Sequence, residues 1–210
     1  MNNRQKIIDT ALELFNAHGA AAVGTNRIAQ KLGISPGNLY YHFKNKQDII
    51  RAIFEMIRAD MAEVMKEIPS DLSTEASSAY LLGSMRVVWK YRFFYADLVA
   101  LLHNDPELRR LFLAMRAHTV STTMALYRRL IQAGQMNQPE HQWELDSLTL
   151  NTWIVATNWV RYLQTCKSDV DVSQADFERG VLHVYSLVMP YLPAQRREDF
   201  LRFYLAAQPD

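Results

Sequence analysis

The chain has 210 residues, of which 49% are hydrophobic and 21% are charged, and its formal net charge is +1. This length suffices for one large domain, or for a small domain beside a larger one, with a buried core. The near-neutral balance excludes a general polycation, and the uncharged stretch from Ser147 to Val160 is too short to span a membrane. The single cysteine, Cys166, is typical of a cytoplasmic protein, and we expect it to be half-buried and inert.

Charge is unevenly distributed along the sequence. Residues 1–48 contain six basic and three acidic side chains, a net charge of +3, so the remainder carries −2. A basic N-terminal segment followed by a mildly acidic body is typical of a protein that binds DNA.

Two short helices joined by a sharp turn are predicted between Thr25 and Lys46. The first begins at Thr25, whose hydroxyl can cap it, and ends at Gly33, because glycine enters the left-handed region without steric cost. Ser35 caps the second helix, and Pro36 suits its first position, where a backbone N–H would have no partner. This pattern indicates a helix-turn-helix.

The second of these helices has an inward and an outward face. At about 100° per residue, Leu39 and Phe43 share the inward face, and we expect both in the core. The opposite face is polar and aromatic, which fits the phosphate-lined groove of DNA. It consists of Gly37, Tyr40 and Tyr41, flanked by Asn38 and His42.

A long helix follows the motif. Asn45 and Asp48 form a capping pair at its start, which places Lys46 in the first turn, where free N–H groups and the helix dipole favour a phosphate. No glycine or proline interrupts the sequence from Asn45 to Ile68, and the helix should end at Pro69. We therefore expect a rigid connection between the N-terminal motif and the rest of the chain.

Residues from about Arg4 to Phe54 resemble the DNA-binding domain of TetR-family transcriptional regulators. The resemblance rests on L-Y-Y-H-F-K-N-K at residues 39–46, on G-A-A-A-V-G-T at residues 19–25 and on the apolar pattern of the preceding helix. It implies that phosphates are held by Thr25, Tyr41, His42 and Lys46. It places at or near base edges Asn26, Pro36, Gly37, Asn38 and Tyr40, and the capping Ser35 completes the candidate DNA-binding set. Tyr40 could instead pack against the first helix of the motif, and His42 could have a structural role.

Helical periodicity recurs throughout the sequence, and no run alternates like a strand, so we expect an all-α fold. Residues 1–48 are predicted to form a three-helix helix-turn-helix DNA-binding domain. The long helix joins it to a helical effector-binding and dimerisation domain at residues 49–210. The further helices are expected at about 73–90, 92–103, 106–133, 140–166, 173–189 and 194–206.

Aromatic residues are crowded between Trp89 and Tyr95, where five of seven residues carry a ring. We predict that some of them line a cavity for a small-molecule effector, together with residues of later helices. The candidate set is Trp89, Phe93, Phe94, Met115, His118, Thr122, Trp153, Thr157 and Asn158. The alternative is an ordinary helical core with tyrosine and tryptophan polar atoms at its edge.

The segments at about 140–166 and 173–189 carry more apolar surface than one inward face requires. Such a distribution indicates burial on two sides, by the domain and by a partner subunit. These segments resemble the helix pair that forms a four-helix dimer interface in the TetR family. A symmetric homodimer would separate its two recognition helices by about one DNA turn, roughly 34 to 36 Å, and would require a palindromic operator.

No catalytic pattern is evident, so we expect neither an enzyme nor a metal or cofactor. The six histidines form no HExxH or paired Glu-x-x-His arrangement, and the seven glycines form no dinucleotide or phosphate loop. The sequence predicts a ligand-responsive regulator, a repressor that binds a palindromic operator in double-stranded DNA and is released by a small apolar or aromatic effector. The alternative is a helix-turn-helix protein whose body binds a protein partner instead of a small molecule.

Overall fold

The computed structural model describes residues 2–66, 72–166 and 172–206. Within these ranges the chain forms α-helices and a short 3-10 helix, without a strand, which confirms the all-α prediction. No helix in the described ranges has the length and apolarity of a membrane span. The helices are α1 (Asn3–His18), α2 (Thr25–Leu32), α3 (Pro36–His42), α4 (Lys46–Lys66), α5 (Thr74–Lys90), α6 (Arg92–Ala96), α7 (Leu98–Asn104), α8 (Pro106–Gln132), α9 (Gln142–Cys166), α10 (Gln174–Val188) and α11 (Ala194–Ala206), with the 3-10 helix at Met189–Tyr191.

The predicted helix at 92–103 is the exception to good agreement in helix bounds. It is two helices, α6 and α7, separated at Asp97, where φ is −93° and ψ is 6°. The Asp97 carboxylate accepts the backbone N–H of Ala20 at 2.8 Å, a contact between distant segments that helical periodicity cannot reveal. The predicted end of the long helix at Pro69 lies outside the described residues.

The helix-turn-helix has its predicted turn, but α2 is capped differently from the prediction. Gly33 adopts the left-handed conformation, with φ 71° and ψ 28°, and the N–H of Ile34 donates to the carbonyl of Ala29 at 3.1 Å. Gly24 occupies the N-cap of α2 and offers no side chain, so Thr25 is the first helical residue and not the cap. Its hydroxyl is 3.0 Å from the Tyr40 hydroxyl instead.

The chain divides into two compact units, and the first comprises residues up to Asp60 together with Lys90–Leu113. Its centre contains a group of packed aromatic rings. The ring centroid of Phe94 lies 5.3 Å from that of Phe54 and 6.1 Å from that of Phe112, and Phe15 lies 5.1 Å from Phe93. All five rings are buried, so they form the core of this unit.

Helix α6 is held in the first unit by Asn16, near the end of α1. The Asn16 side-chain amide donates to the carbonyl of Lys90 at 2.9 Å and accepts the N–H of Phe93 at 3.1 Å. The first unit therefore includes a segment far along the chain from the helix-turn-helix. The domain boundary at residue 48 stays a prediction.

The second unit comprises Met61–Trp89 and the residues from Ala114 onward. Its helices α9 and α10 pack closely, because the ring of Trp159 lies directly over Gly180. A Cβ placed on Gly180 would be 2.4 Å from Cδ1 of Trp159. The Trp159 indole N–H donates to the carbonyl of Asp176 at 3.3 Å, which fixes the ring over α10.

Cys166 is exposed at the last position of α9, so the expectation that it is half-buried was wrong. Tyr162, one turn earlier, is 55% exposed while its neighbour Leu163 is buried, so Cys166 lies on the outward face of this helix. The apolar residues near Cys166 in the sequence do not predict which face of α9 is exposed at this end of the helix.

Candidate nucleic-acid interface and effector cavity

Helix α3 is short, and its start is fixed by local interactions. Ser35 is the N-cap, as predicted, and its Oγ accepts the N–H of Asn38 at 3.2 Å. Pro36 is the first helical residue, where its ring is already in the helical conformation. A helix of only seven residues is marginal by itself, so α3 depends on its cap and on packing.

The two faces of α3 differ as the sequence predicts. Leu39 and Phe43 are buried, at 0% and 4% exposed, while Tyr40 and Tyr41 are 49% and 86% exposed. Two exposed tyrosines beside a buried leucine make a surface that is available to a partner. The exposed members of the predicted DNA-binding set are Asn26, Ser35, Pro36, Gly37, Asn38, Tyr40 and Tyr41, and the half-buried ones are Thr25, His42 and Lys46.

Tyr40 joins the two helices of the motif through its hydroxyl, which is 3.0 Å from that of Thr25. The partly exposed ring therefore has a structural contact as well as an outward surface. Tyr41 has no such restraint from α2 among the contacts of the described residues, and its ring meets that of His42 edge to face at 5.1 Å. The two tyrosines differ in how firmly the fold positions them.

Lys46 is positioned by a backbone contact that the sequence does not reveal. Its ammonium donates to the carbonyl of Ala20 at 2.7 Å, in the connection between α1 and α2. The backbone N–H of Ala20 donates to the carboxylate of Asp97. An ammonium has three donors, so two of them are left for a phosphate. Lys46 and Asp97 together hold this connection beside the recognition helix.

The turn between α3 and α4 is connected to the start of α8 by charged groups. Asn45 and Asp48 cap α4 as predicted, with Asp48 N–H donating to Asn45 Oδ1 at 2.8 Å. Arg51 then bonds both Asp48, at 2.6 Å, and Asp105, at 2.9 Å. Hydrogen bonding to Asp48 raises the pKa of Arg51, which keeps the guanidinium charged. Asp105 is buried and also accepts the N–H of Leu108, so it caps α8.

Basic side chains lie beside the exposed tyrosines of α3, where Arg4 and Lys44 share a surface cleft with Tyr40 and Tyr41. Arg27 and Lys44 are exposed, and neither forms an ion pair with an acidic side chain in the described part of the chain. Arg4 lies with its guanidinium 5.0 Å from the ring centroid of Phe43. Positive charge of this kind, near exposed hydroxyl and amide donors, suits the phosphate backbone of DNA.

The second unit contains a partly open cavity of about 90 Å³. Its walls come from α5, α8, α9, α10 and α11, and most of the lining is aliphatic or aromatic. Two hydroxyl pairs interrupt the apolar walls: Tyr80 with Thr123, at 3.3 Å, and Tyr127 with Thr152, at 2.9 Å. Burial raises the pKa of both tyrosines, so they stay neutral donors. Arg196 also belongs to the lining.

The nine residues predicted to bind an effector are divided between the two units, with Phe93 and Phe94 in the first and the other seven in the second. Phe93 and Phe94 belong to the core of the first unit, where their rings pack against other phenylalanines. His118 and Asn158 are exposed. The hydroxyl of Thr157 donates to the carbonyl of Trp153 in its own helix, and Trp153 lies beneath the Arg116 guanidinium at 5.2 Å.

Three predicted effector residues remain. Trp89 stacks on Phe177 at 5.2 Å, and Met115 and Thr122 are half-buried on α8. None of the nine is among the described residues that line the cavity. The sequence missed the lining because its members are spread from Thr74 to Phe200, and no spacing rule connects them.

The fold and the exposed face of α3 define the class of protein, a helical DNA-binding regulator with a helix-turn-helix. Residues 7–53 match the family described as "Bacterial regulatory proteins, tetR family", and residues 56–200 match the TetR family described as "Bacterial transcriptional repressor". Together these matches cover most of the chain. The chain belongs to the TetR family of bacterial transcriptional regulators.

Individual relatives agree with this assignment. The tetracycline repressor protein class D of Escherichia coli is 47% identical over 51 residues, 24% of this chain and 23% of that protein. The HTH-type transcriptional regulator AcrR of Shigella flexneri is 36% identical over 64 residues, 30% of each chain. These two alignments thus span less than a third of either relative. A solved TetR-family transcriptional regulator from Marinobacter aquaeolei VT8 is similar over 100% of both chains, with 35% identity and a TM-score of 0.87.

Proposed function

We propose that the chain is a ligand-responsive repressor, which binds a palindromic operator as a homodimer and releases it when a small molecule occupies the cavity of the second unit. The observation that carries the DNA-binding part is the exposed face of α3. Tyr40 and Tyr41 are exposed although the helix is otherwise anchored by buried Leu39. Exposed aromatic side chains among small polar residues at a helix start are suited to the major groove.

The proposed contacts divide by type. Thr25, Tyr41, His42 and Lys46 would hold phosphates, with Lys46 already positioned by the carbonyl of Ala20. The remaining members of the DNA-binding set would face or approach the bases. Phosphate contacts set the register, and base contacts supply the specificity. Tyr40 connects the two kinds of contact. It would face the bases, and its hydroxyl is hydrogen-bonded to Thr25, which would hold a phosphate.

Homodimerisation is supported by apolar side chains left exposed on α9 and α10. Leu150, Ile154 and Tyr162 on α9 and Leu182 on α10 are between 37% and 55% exposed. These helices also contact one another closely within the chain, so their outer faces could form a four-helix interface with a second copy. Two symmetric copies would present two recognition helices to a palindrome.

The cavity is the proposed effector site, in place of the nine residues chosen from sequence. It is lined by apolar walls with a few polar groups, as small-molecule sites are. Helix α8 contributes Thr123 and Tyr127 to it, and at its start α8 is bound to Arg51 through Asp105. A coupling of about 1 to 3 kcal/mol between the two sites would change operator affinity roughly 5- to 150-fold.

The experiment is operator binding measured by fluorescence anisotropy, using a DNA fragment selected from genomic DNA by the purified chain. Between 50 and 200 mM salt the affinity should fall on the order of 10²- to 10⁴-fold, because several phosphates are contacted. Lys46→Ala should weaken binding to all sequences alike, whereas Asn38→Ala should also change the preference among them. Lys66→Ala, an exposed lysine of the second unit paired with Glu63, is the control and should leave binding unchanged. Salt-insensitive binding, as at a hydrophobic protein interface, would refute the DNA-binding proposal.

A further inference from the structure

Arg196 is a buried cation at the cavity. It lies on α11, is only 6% exposed and belongs to the cavity lining. Nη1 donates to Gln135 Oε1 at 2.7 Å, and Nη2 donates to the carbonyl of Leu72 at 3.0 Å and to Ser77 Oγ at 2.8 Å. All of these acceptors are neutral.

The charge of Arg196 is therefore not balanced by a contacting carboxylate in the described part of the chain. The acidic side chains that influence it are Glu75, which is exposed, and Asp199, which instead accepts from Gln195 and pairs with Arg202. Burial lowers the pKa of Arg196, which shows that desolvation outweighs these distant charges. A buried cation in this state gains from an anion that reaches it.

Donors are also left over. A guanidinium has five N–H groups, and in the described residues neither Nε–H nor the second hydrogen of Nη1 has an acceptor. Each of these two N–H groups can donate one charge-assisted hydrogen bond to a carboxylate oxygen. The hydrogen bonds to Gln135 and to the backbone hold the guanidinium in place while these donors stay free.

The rest of the cavity selects against a purely polar anion. Leu81, Leu126, Leu130 and Val184 give it aliphatic walls. A volume of about 90 Å³ is small, so the apolar part of a ligand must be compact. Small apolar cavities in proteins bind single rings. The apolar part of the ligand should therefore be one ring or a short alkyl chain.

We propose that this cavity binds a small organic carboxylate, with the carboxylate on Arg196 and a single ring or short alkyl chain against the aliphatic walls. This inference rests on the proposed function in taking the cavity as the effector site. It replaces a general apolar effector with a defined chemical class, an anionic amphiphile.

The test uses probes that match in shape but differ in charge and in one hydrogen-bonding group: benzoate against benzamide, and hexanoate against hexanamide. Binding to the full chain is measured by isothermal titration calorimetry. The carboxylates should bind about tenfold to a hundredfold more tightly than the amides, the range expected for a hydrogen bond to a charged group. Equal affinities within both pairs, or no binding of either carboxylate, would overturn the proposal.

Two variants locate the preference. Arg196→Gln should lose the preference for carboxylates while keeping its affinity for the amides. Arg197→Gln is the matched control, since Arg197 is adjacent, donates to the carbonyl of Leu192 and does not line the cavity; it should behave as the unmodified chain. If Arg196→Gln fails to fold, Arg196→Lys replaces it and should keep part of the preference. An Arg196 variant that folds and retains the full preference would contradict the assignment.

Operator binding separates failure of this inference from failure of the proposed function. If carboxylates bind through Arg196 but leave operator affinity unchanged, the anion site stands and the effector-release proposal fails. If the amides bind and release the operator while the carboxylates do neither, the release proposal stands and the anion site fails.

Discussion

The recognition surface on α3 and the cavity of the second unit are built in opposite ways. The recognition surface comes from one short stretch, with caps, a turn and an exposed face that follow from residues within a few positions of one another. The cavity is assembled by five helices whose lining residues run from Thr74 to Phe200. Each of its two hydroxyl pairs joins residues far apart in the sequence, and so does the hydrogen bond that holds the buried Arg196 against Gln135. Residue spacing can predict a site that is formed by neighbouring residues. It cannot predict a site that is formed by the packing of distant helices.

Leu39→Ala should have the largest effect on the first of these regions. Leu39 is fully buried and anchors α3, so its truncation leaves a cavity and should destabilise the protein by about 2 to 5 kcal/mol. Urea unfolding followed by circular dichroism measures this. Tyr41→Ala, two positions on and 86% exposed, should change stability by no more than about 0.5 kcal/mol. Equal effects from both substitutions would mean that α3 has no inward and outward face.

Glycine positions give the next largest contrast. At Gly180 a Cβ would lie 2.4 Å from Cδ1 and 2.6 Å from Nε1 of Trp159, so Gly180→Ala should cost about 1 to 3 kcal/mol by forcing α9 and α10 apart. At Gly37, on the recognition surface, the nearest atom to a Cβ is Ser35 Oγ at 3.9 Å. Gly37→Ala should therefore stabilise α3 by up to about 1 kcal/mol.

The two glycine variants are compared by thermal unfolding, with operator binding as a second readout. The difference in sign is the expected result, since the same methyl group meets an indole ring at one site and open space at the other. A Gly180→Ala protein as stable as the unmodified chain would show that α9 and α10 do not pack as closely as described.

These contrasts also show what the sequence could predict. The left-handed Gly33, the Ser35 cap and the burial of Leu39 and Phe43 were predicted because each depends on neighbouring residues. The contacts of Asn16 with Lys90 and of Ala20 with Asp97 join residues 74 and 77 positions apart. No periodicity encodes such pairs, so the addition of α6 and α7 to the first unit was missed.

The aromatic residues near Trp89 show a different limitation. The sequence shows that aromatic rings are dense in this segment, but density alone does not distinguish a binding site from a core. Phe93 and Phe94 are buried against Phe15, Phe54 and Phe112, which is the ordinary-core alternative that the sequence left open. Four of the five rings, those of Tyr91, Phe93, Phe94 and Tyr95, are thus buried in the first unit.

Asp105→Ala tests the connection between the start of α8 and the recognition region. It removes the cap on α8 and one of the two carboxylates on Arg51, so we expect a loss of about 1 to 2 kcal/mol in the free energy of unfolding. The control is Glu55→Ala, whose exposed ion pair with Arg58 should contribute about 0 to 0.5 kcal/mol. Chemical denaturation distinguishes the two, and a loss for Asp105→Ala no greater than the control would contradict the buried role of Asp105.

Tyr40→Phe should have the smallest effect on stability. It removes one partly exposed hydroxyl contact with Thr25, at a cost of about 0.5 kcal/mol or less. If Tyr40 also faces the bases, the same variant should alter operator preference in a competition assay while leaving the melting temperature nearly unchanged. A large loss of stability would instead mean that Tyr40 is chiefly a packing residue of the motif.

The central claim is that the exposed face of α3 reads DNA as half of a symmetric pair. Selection of bound sequences from a random duplex library, followed by sequencing, tests this most directly. The unmodified chain should enrich a palindrome whose half-site centres are about one helical turn apart, roughly 34 to 36 Å, and Asn38→Ala should change the enriched bases. Enrichment of no sequence, or of the same palindrome by both proteins, would contradict the account.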